Sequence, residues 1–390
     1  MYINSIRGNR MHIRYLKQLP LAIASLGLYA AASDRKTELE NYSPSDCAEL
    51  CWRSNGLECD EQWDFNAGAI YFQAKAQGVD IAVITQDRNN NTFPVNGVGV
   101  QPDESLWWGF KVGGGYKLFR QDWRITVDYT FFNSVTNVPL QTAYGTAFIP
   151  SIYNNQFIGD GLPQNFSLFN NLDIGVRNTI NNVQICASRP TYIDRNIEIS
   201  PYYGLDISFL TRRSVTRFTN DINPNALNAS VQRYQQAAGG FYQTYQKWSW
   251  WGVGPCVGLH TNWFMKYDFS LYGDLYGALN YGSSRCRVSN FSRPANLVAS
   301  NFPNFGFIYP QEAVIDNILY QFAPEFTYQL GLNWSKMTDD KSMLVQLNIG
   351  YESSYFFNVI KTITPDLAYR IEDGSGLGLQ GLVLQAFIDY

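Results

Sequence analysis

Apolar and polar residues alternate along several segments of this chain, with the two-residue period of a β-strand. The clearest segment is 122–132, where five apolar residues oppose five polar or charged ones, and 171–181, 196–209, 267–281, 325–334 and 343–352 repeat the pattern. Weaker candidates are 65–75, 78–85, 108–118 and 246–263. Together with the C-terminal segment 377–390, the alternation predicts about eleven strands.

The C-terminal segment ends on an aromatic residue and has one apolar side, formed by Leu382, Leu384, Ala386, Ile388 and Tyr390. The other side carries Gly381, Gln385 and Asp389, with Val383 and Phe387 as apolar exceptions. An apolar face that leads to a terminal aromatic is typical of the closing strand of a bacterial outer-membrane barrel, because that face meets lipid and the other meets the lumen. We expect the two exceptions to pack near the periplasmic rim, against the N-terminal segment.

The connections between the predicted strands alternate between long and short. The long ones, rich in Asn, Pro, Gly and Ser, are 89–104, 133–170, 220–240 and 285–315, and the short ones are 119–121, 265–267 and 335–341. Long structureless loops are uncommon in compact soluble domains. The chain is therefore predicted to form an all-β, antiparallel, up-and-down transmembrane barrel with long extracellular loops and short periplasmic turns. Because such barrels usually have an even number of strands, we expect about 12, within a range of 10 to 16.

Composition supports a membrane barrel over the alternatives. Charged residues make up only 16% of the chain and aromatic residues another 16%, which suits a lipid-facing band with aromatic girdles. A mean hydropathy of -0.22 argues against a bundle of membrane helices. The net charge of -4 gives no sign of a nucleic-acid partner.

The N-terminus reads as a signal for export. Four basic residues precede the short apolar run 19–31, and the alanines at 30–32 offer a small-residue cleavage site. We therefore divide the chain into a signal peptide (1–32) cleaved near Ala32, a cysteine-bearing N-terminal periplasmic segment (33–64) and an outer-membrane β-barrel (65–390). This predicts location in the bacterial outer membrane.

Six cysteines accompany export, and disulfides persist in oxidising compartments. The candidates for disulfide bonds are Cys47, Cys51, Cys59, Cys186, Cys256 and Cys286, and their pairing cannot be read from spacing. Cys47 and Cys51 lie four residues apart, which suits bonds to other segments or other chains. A metal site at Cys47, Cys51 and Cys59 is the alternative, but the spacing is irregular and histidine is missing nearby.

Little in the sequence points to catalysis. After removal of the signal peptide one histidine remains, His260, and nothing in the sequence singles out a serine or carboxylate to act with it. We interpret His260 as a lumen or packing residue. No catalytic, cofactor-binding or metal-binding residue is predicted, and the protein is expected not to be an enzyme.

The polar strand faces carry the strongest functional signal, because ionisable groups are costly in a filled core and natural in a water-filled lumen. The predicted pore-lining residues are Lys111, Lys117, Arg124, Asp128, Asp173, Arg177, Glu198, Asp206, Asp268, Asp274, Glu325 and Glu352. These predict a porin that lets small hydrophilic solutes and ions diffuse passively, with weak cation preference because acids outnumber bases. Three alternatives stay open: a barrel whose paired interior charges plug the lumen, a structural or adhesive surface protein of the outer envelope, cross-linked by disulfides, and, weakest because of the histidine count, a membrane-embedded hydrolase.

Several segments, in order along the chain, resemble the Legionella-type major outer-membrane protein family of MOMP-like pore-forming proteins. They are 69–74, 123–132, 172–177, 251–259, 269–274 and 378–382. The resemblance implies an outer-membrane porin and supplies no catalytic residues. The partners expected for such a protein are outer-membrane lipid and lipopolysaccharide, small hydrophilic solutes, and the barrel-assembly machinery through the C-terminal strand, with homo-oligomerisation left open.

Overall fold

A computed structural model describes residues 62–77, 81–85, 97–102, 104–118, 123–142, 147–150, 169–194, 196–219, 241–265, 268–293, 311–338, 343–363, 371–372 and 376–390. The predicted signal peptide lies outside these residues, as does nearly all of the cysteine-bearing segment. No helix within the described residues is long and apolar enough to span a membrane.

The described residues form sixteen β-strands. In chain order they are β1 (Gln62–Ala76), β2 (Ala82–Thr85), β3 (Val98–Val100), β4 (Leu106–Lys117), β5 (Arg124–Gln141), β6 (Ala147–Pro150), β7 (Asn171–Ser188), β8 (Thr191–Asp194), β9 (Ile197–Thr219), β10 (Phe241–Phe264), β11 (Phe269–Arg293), β12 (Gln311–Met337), β13 (Leu344–Phe356), β14 (Thr362–Ile363), β15 (Ile371–Glu372) and β16 (Leu377–Asp389).

Ten of these strands close into an antiparallel barrel in the order β1-β4-β5-β7-β9-β10-β11-β12-β13-β16. The first and last strands complete the circle, with Asp64 opposite Asp389 and Ala76 opposite Leu377. The short strand β8 pairs with β9 beyond the point where β7 ends. The predicted antiparallel barrel is therefore confirmed.

The barrel has ten strands, the lower limit of the predicted range and two fewer than the expected twelve. Ten of the eleven predicted segments are barrel strands. The exception is 78–85, which supplies β2 of a separate three-stranded sheet, β3-β2-β6, in the long connections. With only 4 residues β2 is too short to cross a bilayer, which takes about 9–11 residues per strand.

Long and short connections alternate between the barrel strands, as an up-and-down barrel requires. The barrel therefore has a short-turn end and a long-loop end. The short turns join β4 to β5, β10 to β11 and β12 to β13. Two predicted loops, 133–170 and 285–315, are shorter than expected, because β5 continues to Gln141 and β11 to Arg293. In these extensions both strand faces carry polar residues, so alternation fades although backbone pairing continues.

Outward-facing residues on the barrel strands form an exposed apolar band. On β16, Leu382, Leu384 and Tyr390 are 56%, 56% and 71% exposed. Their register partners on β1 and β13 continue this face. The predicted lipid-facing side of the C-terminal segment is thus the outer side of the barrel wall.

Candidate functional site

The candidate site is the interior of the barrel, where inward-facing side chains form two different halves. The half near the short turns, the polar half, is lined by ionisable residues from every barrel strand except β7. Toward the long loops it is followed by an apolar layer. That layer consists of Ile70, Phe72, Ala74, Ala76, Phe132, Ile180, Leu210, Trp248, Trp250, Ala323, Phe356, Val359, Ile360, Leu377, Leu379 and Val383.

Nine of the twelve predicted pore-lining residues lie on inward faces. Strand register places them on the same side as buried interior neighbours; for example, Lys111 lies opposite Gly68, and Asp274 lies opposite His260. The nine are Lys111, Lys117, Arg124, Asp128, Glu198, Asp206, Asp274, Glu325 and Glu352.

Asp173 and Arg177 lie on the outward face of β7, so their predicted position in the lumen was wrong. Both are exposed, whereas Leu172 and Ile174 on either side of Asp173 are 0% and 2% exposed and point inward. This part of β7 is near the long-loop end of the barrel. The inward face of β7 packs here on the three-stranded sheet β3-β2-β6, which we call the loop sheet. Apolar residues therefore face inward and charged residues face outward, the reverse of the arrangement in the polar half.

Asp268 also lies outside the lumen, contrary to the prediction. It is an exposed turn residue with φ of 62° between β10 and β11. The alternating pattern was extended two residues too far, because β11 begins at Phe269. A left-handed backbone conformation of this kind is tolerated by aspartate in turns.

Ion pairs hold the polar half together at the short-turn end. The Arg124 Nε donates to Asp64 Oδ2 at 2.7 Å, and its Nη2 lies 3.5 Å from Asp389 Oδ1. One guanidinium thus joins β5 to both strands of the closing pair. Nearby, Asn66 Nδ2 donates to Asp128 Oδ1 at 2.9 Å. Sequence reasoning missed Asp64, because it lies just before the predicted first strand.

A second ion pair links two strands on the inner side of the barrel wall. Lys111 Nζ lies 2.5 Å from Glu352 Oε2. The two residues belong to β4 and β13, with β1 and β16 between them. Lys111 is 18% exposed and Glu352 only 6%. This partial exposure shows that solvent reaches the lysine from inside the barrel.

Register brings a serine, a histidine and an aspartate side by side on three strands. Ser200 lies opposite His260, and His260 lies opposite Asp274. The His260 Nδ1 is 3.4 Å from Asp274 Oδ2, and Tyr202 donates its hydroxyl to Asp274 Oδ1 at 2.6 Å. These partners were missed because sequence spacing does not reveal cross-strand register.

This arrangement is not that of a serine nucleophile with its base. The Ser200 hydroxyl donates to Glu198 Oε1 at 3.2 Å, and a hydroxyl has a single proton to donate. His260 and Asp274 are 31% and 29% exposed, so water reaches this part of the lumen. His260 is a lumen residue, oriented by its carboxylate neighbour.

A hydrogen-bonded cluster surrounds Asp206, which is fully buried. Its carboxylate accepts from Asn182 Nδ2 at 2.7 Å, Ser208 Oγ at 2.7 Å and Asn280 Nδ2 at 2.5 Å. These contacts join β7, β9 and β11 across the interior. They satisfy a charge that would otherwise be costly to bury.

Three of the predicted disulfide cysteines are buried thiols in the structure: Cys186, Cys256 and Cys286. Cys186 and Cys256 both lie opposite Gly204, and their sulfurs are 3.7 Å apart across β9. This separation is well above the roughly 2.05 Å of a disulfide bond. Cys47, Cys51 and Cys59 lie outside the described residues.

The apolar layer lies in the lumen toward the long-loop end, and residues 358–361 pack against it after β13, whereas Phe357 is exposed. Val359 and Ile360 are 0% and 3% exposed. The backbone of this segment is held by Ser284 Oγ, which donates to Val359 O, and by Gln321 Nε2, which donates to Asn358 O at 2.6 Å. A hydrophobic constriction of this kind can gate a pore by excluding water.

Val383 and Phe387 of the C-terminal strand both face the interior. Val383, 1% exposed, belongs to the apolar layer and lies opposite Ile70 and Gly350, so our expectation of a rim position was wrong for it. Phe387 lies opposite Asn66, close to the short-turn end. The sequence could not separate these positions because lumen depth is not encoded in alternation.

Beyond the apolar layer a buried ion pair fixes a loop residue inside the barrel. Glu104, which precedes β4, accepts from Arg212 Nη1 at 2.6 Å and from Asn178 Nδ2 at 2.9 Å. The two charged side chains are 3% and 5% exposed. Above them a second apolar cluster packs the loop sheet against inward residues of β7, β9 and β10.

Comparison with protein families gives a match over residues 58–390 to the model described as Legionella pneumophila major outer membrane protein precursor. No curated protein matches the sequence.

Among solved structures, the chain is similar to the outer membrane protease OmpT from Escherichia coli, with 9% identity, 86% of this chain and 97% of that chain covered, and a TM-score of 0.35. It is also similar to a major outer membrane protein from Thermus thermophilus, with 8% identity, coverage of 85% and 99%, and a TM-score of 0.29. The toluene transporter TodX of Pseudomonas putida follows, with 10% identity, coverage of 85% and 89%, and a TM-score of 0.26. Likenesses of this size carry no information on function.

Proposed function

The chain belongs to the Legionella major outer membrane protein family, and we propose that this outer-membrane barrel is a porin that lets small hydrophilic solutes and ions diffuse passively. The observation that carries the proposal is solvent exposure inside the polar half. Arg124, His260 and Asp274 are 25%, 31% and 29% exposed although they face the lumen. Charged groups wetted from within are natural in an aqueous channel and costly in a sealed core. The family and the barrel fold favour a non-enzymatic role.

In this proposal the described conformation is the closed one. The apolar layer, with the segment 358–361 packed against it, excludes water from the middle of the barrel, as hydrophobic gates do. Displacement of that segment would join the polar half to the long-loop end. The pore is therefore expected to conduct in brief openings of small size.

The permeant ions are expected to be mainly cations. Six of the nine inward ionisable residues from the prediction are acids and three are bases, and rings of acidic side chains favour cations. A reversal potential measured across planar bilayers in a potassium chloride gradient should therefore have the sign of cation preference. A potential of anion-selective sign would contradict this part of the proposal.

Single-channel recording of the purified full chain tests the porin proposal, with variants that differ only in the face they alter. Leu210→Ala opens the apolar layer from β9, whereas Leu205→Ala removes the same side chain from the outward face of that strand, where it is 50% exposed. We expect small or rare conductance steps in the unaltered protein and in Leu205→Ala, and larger or more frequent steps in Leu210→Ala.

The alternative is a structural or adhesive surface protein, and the filled interior is the observation that favours it. The apolar layer and the hydrogen-bonded Asp206 cluster leave the barrel well packed in the described conformation. If neither the unaltered protein nor Leu210→Ala conducts after verified insertion, the porin proposal fails. Loss of host-cell or envelope attachment on deletion would then support the alternative.

A further inference from the structure

A row of basic side chains crosses the outward face of four adjacent strands near the long-loop end. Register places Arg177 of β7 opposite Arg213 of β9, Arg213 opposite Lys247 of β10, and Lys247 opposite Arg287 of β11. Arg177, Arg213 and Arg287 are exposed and Lys247 is half-buried. We call these four residues the basic row.

Direct juxtaposition of like charges destabilises a sheet. Within the part of the chain that the structure describes, Arg213, Lys247 and Arg287 form no salt bridge, and Arg177 donates to the amide oxygen of Asn133 at 3.0 Å. Four positive side chains in register therefore favour an anion supplied from outside the protein.

Two outward acids lie beside the row and offset only part of its positive charge. Asp316 lies opposite Arg287 in register, but both of its oxygens accept hydrogen bonds from Arg285, at 2.9 and 2.5 Å. Asp173 lies opposite Arg217, four positions from Arg177 along β7. The row thus keeps a net positive charge.

The depth of the row corresponds to lipid headgroups. The run of outward apolar residues ends at Phe209 on β9, at Trp251 on β10 and at Ile318 on β12. Lys247 lies four residues beyond Trp251, roughly 14 Å further along the strand at about 3.4 Å per residue. Side chains at this level leave the hydrocarbon and meet the polar surface of the leaflet.

We propose that the basic row binds the phosphate groups of lipopolysaccharide headgroups in the outer leaflet. Three strand spacings of about 4.8 Å make the row roughly 14 Å long, enough for more than one phosphate of a single headgroup. Arginine binds phosphate through two parallel hydrogen bonds, which suits three of the four side chains. This site lies outside the barrel and is independent of the proposed pore.

Binding of lipid A in detergent micelles to the purified full chain tests the proposal. The test variant is Arg213→Gln/Lys247→Gln/Arg287→Gln, and the matched control is Lys75→Gln/Arg189→Gln/Lys336→Gln, which removes three exposed positive charges elsewhere. Both must show the electrophoretic shift between unheated and heated samples that marks a folded barrel. Lipid A stripped of its phosphates and free inorganic phosphate serve as the other probes.

We expect the test variant to bind lipid A roughly 100-fold more weakly, and the control to bind it as the unaltered protein does. Dephosphorylated lipid A should bind weakly to all three proteins, and millimolar phosphate should compete poorly. Equal binding by the test variant and the unaltered protein would overturn the proposal, as would an equal loss in the control. Strong competition by free phosphate would overturn the assignment to a lipid.

Discussion

The two halves of the barrel interior use the same strands in opposite ways. In the polar half, charges face inward and apolar residues face lipid, as on β9, where Asp206 is fully buried and Leu205 is exposed. Toward the long loops, β7 turns Ile174 and Val176 inward and Arg177 outward. A period of two therefore identifies a strand but not its inner face. Depth along the barrel decides which face is polar.

The largest expected effect comes from breaking the ion pair beyond the apolar layer. Arg212→Ala leaves Glu104 buried without its cation, which should cost about 4 kcal/mol of unfolding free energy. Urea titration of the barrel in detergent micelles measures this. The double variant Arg212→Met/Glu104→Gln should recover most of the loss, because it removes both charges. If Arg212→Ala lowers the unfolding free energy by less than about 1 kcal/mol, water reaches the Arg212–Glu104 pair as it reaches the charges of the polar half.

A smaller loss is expected from a cavity in the apolar layer itself. Leu210 is 0% exposed, so Leu210→Ala should cost about 3 kcal/mol in the same titration. The outward control Leu205→Ala should cost clearly less, since its side chain contacts detergent. Equal losses in the two variants would mean that the layer is loosely packed, contrary to the comparison between halves.

Removal of the Lys111 cation from the polar half should lower the free energy of unfolding by a moderate amount. Lys111→Met leaves Glu352 without its partner, but water reaches this pair, so we expect a loss of about 2 kcal/mol. The measurement is again urea unfolding, with Lys75→Met, an exposed lysine on β1, as the control. A loss as large as that for Arg212→Ala would indicate that water is excluded from the Lys111–Glu352 pair as fully as from the Arg212–Glu104 pair.

The smallest effect is predicted for an ion pair outside the barrel. Arg285 and Asp316 are 56% and 35% exposed, and surface pairs contribute little to stability. Arg285→Gln should leave the urea midpoint unchanged within error. A measurable shift would show that ordered loop structure shields this pair.

Alternation predicted the barrel because a polar lumen on one face and lipid on the other impose it along each membrane-crossing strand. Segment 122–132, for example, lies almost wholly within β5. The inversion on β7 escaped prediction because an apolar side chain satisfies either lipid or a filled lumen. Glu104 escaped because it lies in a connection, where no periodic pattern applies.

Contacts between strands could not be predicted from the sequence either, because strand register is a property of the folded sheet. Ser200, His260 and Asp274 are far apart along the chain and adjacent only through two strand pairings. The same holds for the basic row, whose four members come from four strands. Chemistry assembled across strands cannot be found by reading along one of them.

The seam between the first and last barrel strands joins segments that are far apart along the chain. Trp63 and Tyr390 exchange backbone hydrogen bonds at 2.9 and 2.8 Å, and β1 pairs with β16 from Asp64–Asp389 to Ala76–Leu377. Without this pairing, β1 and β16 would each present an unpaired edge, which is prone to join another chain. The seam thus guards against association between barrels as well as closing the wall.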